Sequence, residues 1–159
     1  MNITEQDKTF MRKAIRLASE SVLNGGGPFG AVIVRDGEII AGSSNSVTID
    51  NDPTAHAEVN TIRQACQKLG TFDLSDCVIY TSCEPCPMCL GAIYWAHLKC
   101  VYYANTKADA ADIDFDDDFI YKEIDKPIDR RSVPFINMLR NEALISFRLW
   151  DETIDKKEY

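Results

Sequence analysis

Apolar residues first recur at helical spacing between residues 4 and 23, where Phe10, Ala14, Leu17, Ala18 and Val22 share one face. Thr4 and Asp7 cap the start, because a hydroxyl and an acid three residues later satisfy each other's free backbone N–H groups. The run N-G-G-G at 24–27 ends it. The period then shortens: A-V-I-V and E-I-I-A flank Asp36-Gly37, a turn dipeptide that predicts two adjacent antiparallel strands. Helical spacing returns with Ala55, Val59, Ile62, Cys66 and Leu69 before Gly70, and Thr54 is placed as the N-cap. His56 and Glu58 then fall in the first turn.

Residues 76–81, D-C-V-I-Y-T, read as a buried strand. C-P-M-C-L-G-A-I-Y-W-A follows almost at once as a helix, and C-V-Y-Y-A at 100–104 as another strand. Strands separated by helices of about three turns predict an α/β fold, a three-layer α/β/α sandwich on a central mixed sheet. Residues 109–129 are crowded with acids, Pro127 and Pro134 bracket I-D-R-R-S-V, and a helix is expected from about Phe135. At 159 residues the chain suits a single domain, 1–159, large enough to bury a core without disulfides.

Charge narrows the function. Acidic residues number 25 against 17 basic ones, a net charge of -8 that repels phosphates and argues against a nucleic-acid partner. The start M-N-I-T-E-Q-D-K lacks a basic, apolar leader, and no run is long enough to span a bilayer, so a cytoplasmic location without membrane contact is expected. Six cysteines in a reducing compartment stay thiols, and a regular cluster among them points to metal rather than disulfides. Cys66, Cys77 and Cys100 lack such spacing and read as buried, inert thiols.

Cys83, Cys86 and Cys89 are the regular cluster. Cys86 and Cys89 open a helix, which turns both sulfurs to one side and favours their thiolates. Of the two histidines, His97 lies about two turns beyond Cys89 and His56 opens the other helix. His56, Glu58 and P-C-P-M-C together give H-x-E…P-C-x-x-C, the signature of zinc deaminases. One imidazole and two thiolates leave a tetrahedral position of Zn2+ open for water, whose pKa drops from about 16 to about 7. Glu58, held off the metal, suits the proton shuttle. Singly, His56 reads as a cap and Glu58 as a helix-dipole residue; jointly with the cysteine pair they read as catalytic. Cys83 as a fourth ligand would close the site, so it is expected beside the metal and off it.

These residues resemble the cytidine and deoxycytidylate deaminase superfamily, and within it the bacterial guanine deaminases. The similarity runs nearly end to end, through G-G-P-F-G-A-V-I-V, N-D-P-T-A-H-A-E-V, V-I-Y-T-S-C-E-P-C-P-M-C-L-G-A-I-Y-W-A, F-D-D-D-F-I-Y-K-E-I-D-K-P and a K-K-E-Y terminus. The first three blocks are shared with transfer-RNA adenosine deaminases; the last two mark the guanine branch. The resemblance implies hydrolysis of the small purine base guanine to xanthine and ammonia. It implies that His56, Cys86 and Cys89 bind zinc, that Glu58 shuttles protons, and that Asn45 holds the purine edge. Phe29 and Trp95 would wall the ring, Asp117 would contact the leaving amino group, and Tyr159 would cap the pocket. Phe29 also reads as core packing, Asn45 as a turn residue and the run Asp116-Asp117-Asp118 as a solvated face. The family further implies a homodimer in which a C-terminal segment of about residues 128–159 is exchanged between subunits. Rival readings are a transfer-RNA adenosine deaminase, a deaminase of guanosine or a triazine, and a protein in which zinc only holds the fold.

Overall fold

A computed structural model describes residues 2–159. Helix α1 (Glu5–Leu23) starts at Thr4 with the expected capping box: the Thr4 hydroxyl accepts from the Asp7 N–H while Asp7 accepts from the Thr4 N–H. Strands β1 (Gly30–Arg35) and β2 (Glu38–Ser44) form the hairpin. Asp36 and Gly37 both take positive φ, 50° and 80°, as its two-residue turn requires. A short helix α2 (Val47–Asp50), absent from the periodicity, precedes α3 (Ala57–Leu69). Strand β3 (Val78–Cys83), helix α4 (Pro87–Trp95) and strand β4 (Cys100–Asn105) follow. Beyond them lie α5 (Lys107–Ala111), α6 (Asp118–Asp125), a 3-10 turn at Ile128–Arg130 and α7 (Arg140–Glu152).

The sheet order is β2-β1-β3-β4. β1 runs antiparallel to both β2 and β3, and β3 parallel to β4, which makes the sheet mixed. Alternation along β1 builds both cores. Ala31 and Ile33 pack with Ile79 against Ala57 and Ala65 of α3 and Ile93 of α4. Val32 and Val34 pack with Tyr80 against Phe10 and Ala14 of α1. One face is thus covered by α1 and the other by α3 and α4, giving the expected three layers. Gly30 permits the approach of α1, because a Cβ there would lie 2.4 Å from the Ala14 carbonyl oxygen and 2.6 Å from the Ala18 nitrogen.

Two boundaries differ from the sequence reading. Thr54 does not cap α3: its N–H and hydroxyl both bond Asp52 Oδ1 at 2.7 Å, so the chain makes an Asx turn, and His56 takes the N-cap position in extended backbone. The last helix starts at Arg140 rather than near Phe135. The chain divides into two compact units, one ending at Asp117 and the other Asp118–Tyr159. Among the described residues no helix is long and apolar enough to cross a membrane.

Candidate metal centre

Two helix starts supply the cluster. His56 precedes α3, and Cys86 takes the N-cap position of α4 with Pro87 at the first helical position, where a missing N–H costs nothing. Cys89 lies one turn further on, fully buried. His56 Nδ1 is 3.5 Å from the Sγ of Cys86 and 3.5 Å from that of Cys89, and one ligand atom from each of the three residues lies within 4.8 Å of the others. Zinc bonds of about 2.0–2.1 Å to nitrogen and about 2.3 Å to sulfur, set at a tetrahedral angle, separate those atoms by about 3.6 Å. The donor set therefore fits zinc in both chemistry and spacing.

The three groups share protons: Cys86 is held as the thiolate, while the Cys89 thiol is pushed up, first by its hydrogen bond to Cys86 and then by burial. The Cys89 thiol, followed by His56, hydrogen-bonds Cys86 and lowers its thiol to about 4, against the opposing effect of burial. His56 is raised, first by its bond to Cys86. Cys83 lies outside the cluster: burial, reinforced by the nearby Glu58 charge, pushes its thiol up to about 11. That thiol donates to the Thr106 carbonyl at 3.6 Å.

Glu58, in the first turn of α3, is 6% exposed. Its Oε1 accepts from the Thr81 hydroxyl at 3.0 Å and its Oε2 from the Cys89 thiol at 3.4 Å. Desolvation raises its carboxyl above the usual range. A carboxyl in this state sits nearer the pKa at which it can both take and return a proton. Thr81 was not singled out by motif, yet it carried a signal: a polar residue inside an apolar strand, two positions before the first cysteine.

Residues 4–105 match the cytidine and deoxycytidylate deaminase zinc-binding region. The chain belongs to that deaminase family. It is 59% identical to guanine deaminase of Bacillus subtilis (strain 168), over 96% of this chain and 98% of the relative. The X-ray structure of guanine deaminase from Bacillus subtilis matches with a TM-score of 0.94 at 57% identity, covering 100% of this chain and 99% of that one. A tRNA-specific adenosine deaminase of Aquifex aeolicus (strain VF5) is 41% identical, but over only 60% of this chain and 63% of its own length. The likeness to guanine deaminase thus continues through the C-terminal segment.

The other candidate residues of this family member occupy different environments. Asn45 follows β2 and is buried, its N–H bonded to the Phe29 carbonyl at 3.0 Å and its carbonyl to the Ser21 hydroxyl at 3.0 Å. Gly27 leaves room for it, since a Cβ there would lie 3.0 Å from the Asn45 side chain. Asn45 Oδ1 accepts from the Val47 N–H at 3.2 Å. Phe29 packs against the α3/α4 core and meets Phe115 edge to face, ring centroids 5.0 Å apart at 88°. Phe29 thus takes the core-packing position that its sequence context allows. Asp117 ends the first unit, and its carboxyl is raised by desolvation and next by the Cys86 charge. Trp95 closes α4 and is 65% exposed. Tyr159, in the second unit, is 73% exposed. His97 lies past α4 with φ 58°, its Nδ1 3.7 Å from Asp73, away from the cluster residues in sequence and in partners.

Proposed function

We propose that the protein hydrolyses guanine to xanthine and ammonia, using one zinc ion held by His56, Cys86 and Cys89. The His56/Cys86/Cys89 cluster with Glu58 buried beside it supports the hydrolytic deamination. The identity to a guanine deaminase over 96% of the chain supports the substrate.

Zinc, when bound, supplies Lewis acidity and lowers the pKa of a coordinated water from about 16 to about 7. Glu58 does the proton work. Its Oε1 is fixed by Thr81, and its Oε2, which the Cys89 thiol contacts, is released once Cys89 serves as a thiolate; Glu58 then moves one proton from the attacking water to a purine ring nitrogen and a second from the resulting hydroxyl on carbon 2 to the amine that departs from it. Asn45 orients the base: with Oδ1 occupied by the Val47 N–H, its Nδ2 amide is left to donate to a ring acceptor. Phe29 and Trp95 wall the purine, Asp117 accepts from the exocyclic amine as it leaves, and Tyr159 caps the site.

A homodimer with an exchanged C-terminal segment completes the reading. No residue of Asp118–Tyr159 is buried, and α7 exposes Ile145, Phe147, Leu149 and Trp150. A unit of that size does not bury a core alone, and exposed large apolar side chains in this number call for a cover. A second copy of the chain is the cover proposed, in the cytoplasm, with no nucleic acid or membrane involved. Sedimentation of the zinc-loaded protein should give twice the chain mass; a monomer at micromolar concentration would remove the exchange from the account. Turnover of guanine by the purified protein tests the activity itself.

A further inference from the structure

The segment between β4 and Asp117 is tied to the rest of the first unit at both ends, through Glu84 of the Cys86 loop at one and through its own Phe115 against Phe29 at the other. At its start, Cys83 of β3 stands opposite Asn105 of β4. The next residue, Glu84, donates its N–H to the Asn105 carbonyl at 2.8 Å and accepts from the Lys107 N–H at 3.0 Å through its carboxylate. Lys107 is the first residue of α5, so Glu84 satisfies one of the free donors of that helix while its own loop leads directly into Cys86. Thr106 and Asp109 add a capping box.

At its far end α5 closes in a Schellman-type turn. Phe115 N–H reaches back to the Ala110 carbonyl at 3.0 Å and Asp114 N–H to that of Ala111 at 3.1 Å, with Asp114 at φ 68°. In such turns the residue after the left-handed one carries a hydrophobic contact that fixes the exit direction of the chain. Here that residue is Phe115, and its ring meets Phe29 edge to face rather than the preceding helix. Phe29 is itself fixed, because its carbonyl accepts the Asn45 N–H at 3.0 Å. Two residues after Phe115 the chain reaches Asp117.

We propose that Glu84 and Phe115 are positioning residues for Asp117: Glu84 joins the arm that carries it to the Cys86 loop, and Phe115 joins it to the Phe29–Asn45 wall. Neither touches the reacting atoms. The arm thereby holds Asp117 in register with the two other groups that face the base, without needing the substrate to order it. This rests on the role given to Asp117 above.

The test uses full-length, zinc-loaded protein with guanine, measuring zinc content, kcat and KM for Phe115→Ala, Phe115→Tyr, Glu84→Ala, Glu84→Gln, Asp117→Ala and the Asp117→Ala/Phe115→Ala double variant. Phe115→Ala and Glu84→Ala should each lower kcat by about tenfold with zinc content unchanged. Phe115→Tyr, which keeps the ring edge, and Glu84→Gln, which keeps an acceptor for Lys107, should each recover most of that loss. In the Asp117→Ala background, Phe115→Ala should cost under about twofold, because the group it positions is already gone. A full additional loss in that background, or no loss in either alanine variant, overturns the proposal. If Asp117→Ala itself keeps parental kcat and KM, the role of Asp117 falls first and takes the tether with it.

Discussion

The Thr81 hydroxyl donates to Glu58 Oε1 at 3.0 Å, and both residues are buried, so one oxygen of the proposed proton shuttle is held by the sheet rather than by solvent. Thr81 stands opposite Ala31 in the β1/β3 pairing. Replacing it by valine keeps the shape and removes the donor. A hydrogen bond to a charged group is worth about 1.5–3 kcal/mol, so Thr81→Val should lower kcat by about tenfold or more. Steady-state kinetics should show the loss with zinc content unchanged.

Metal content separates the three clustered cysteines. His56→Ala, Cys86→Ser and Cys89→Ser should each lose zinc on dialysis and, with it, turnover. Cys83→Ser should keep both, because its thiol is neutral and bonded to the Thr106 carbonyl. Elemental analysis of the four variants checks this. Stoichiometric zinc in any of the first three would remove that residue from the ligand set.

Glu58→Gln distinguishes a catalytic site from a structural one. The amide has nearly the same shape but cannot take up and return a proton, so kcat should fall by about 10²–10⁴ while zinc and fold persist. Circular dichroism and metal analysis, run beside kinetics, read the three properties separately. Parental turnover in this variant would mean that another group moves the proton.

Stability should depend on pH through the start of α1. The Thr4 hydroxyl, followed by the Tyr80 hydroxyl, holds the Asp7 carboxyl below the ordinary range. An acid depressed in the folded state stabilises it above the unfolded value near 3.9, and that contribution is lost as pH falls through the folded value. Thr4→Ala and Tyr80→Phe should therefore be less stable than the parent at pH 7, with the gap closing as pH falls below about 4. Urea unfolding at the two pH values reads the difference. A gap that widens on acidification would contradict the assignment.

The His56/Cys86/Cys89 cluster and the layers of the fold are legible in the chain because both depend on short-range spacing. H-x-E and C-x-x-C lie within single turns, and the alternation in A-V-I-V survives as two cores. What was not legible depends on contacts far apart in sequence. Asp52 captures Thr54 and moves the start of α3 to His56, which only a competing side-chain bond can do. Phe115 stands beside the acidic run with no period to mark it, yet it meets Phe29 across 86 positions of chain, and no local pattern announces such a pair. The late start of α7 at Arg140 follows a residue, Leu139, in left-handed backbone at φ 55°. Hydrophobic residues from Phe135 onward gave the same helical signal on either side of that break.

The central claim is tested most directly by ammonia release from equal concentrations of guanine, guanosine, adenine, cytosine and cytidine by the zinc-loaded protein. Guanine should be turned over with xanthine as product and the other four should lag by at least about a hundredfold in kcat/KM. Release of ammonia from another of the five with none from guanine would contradict the account.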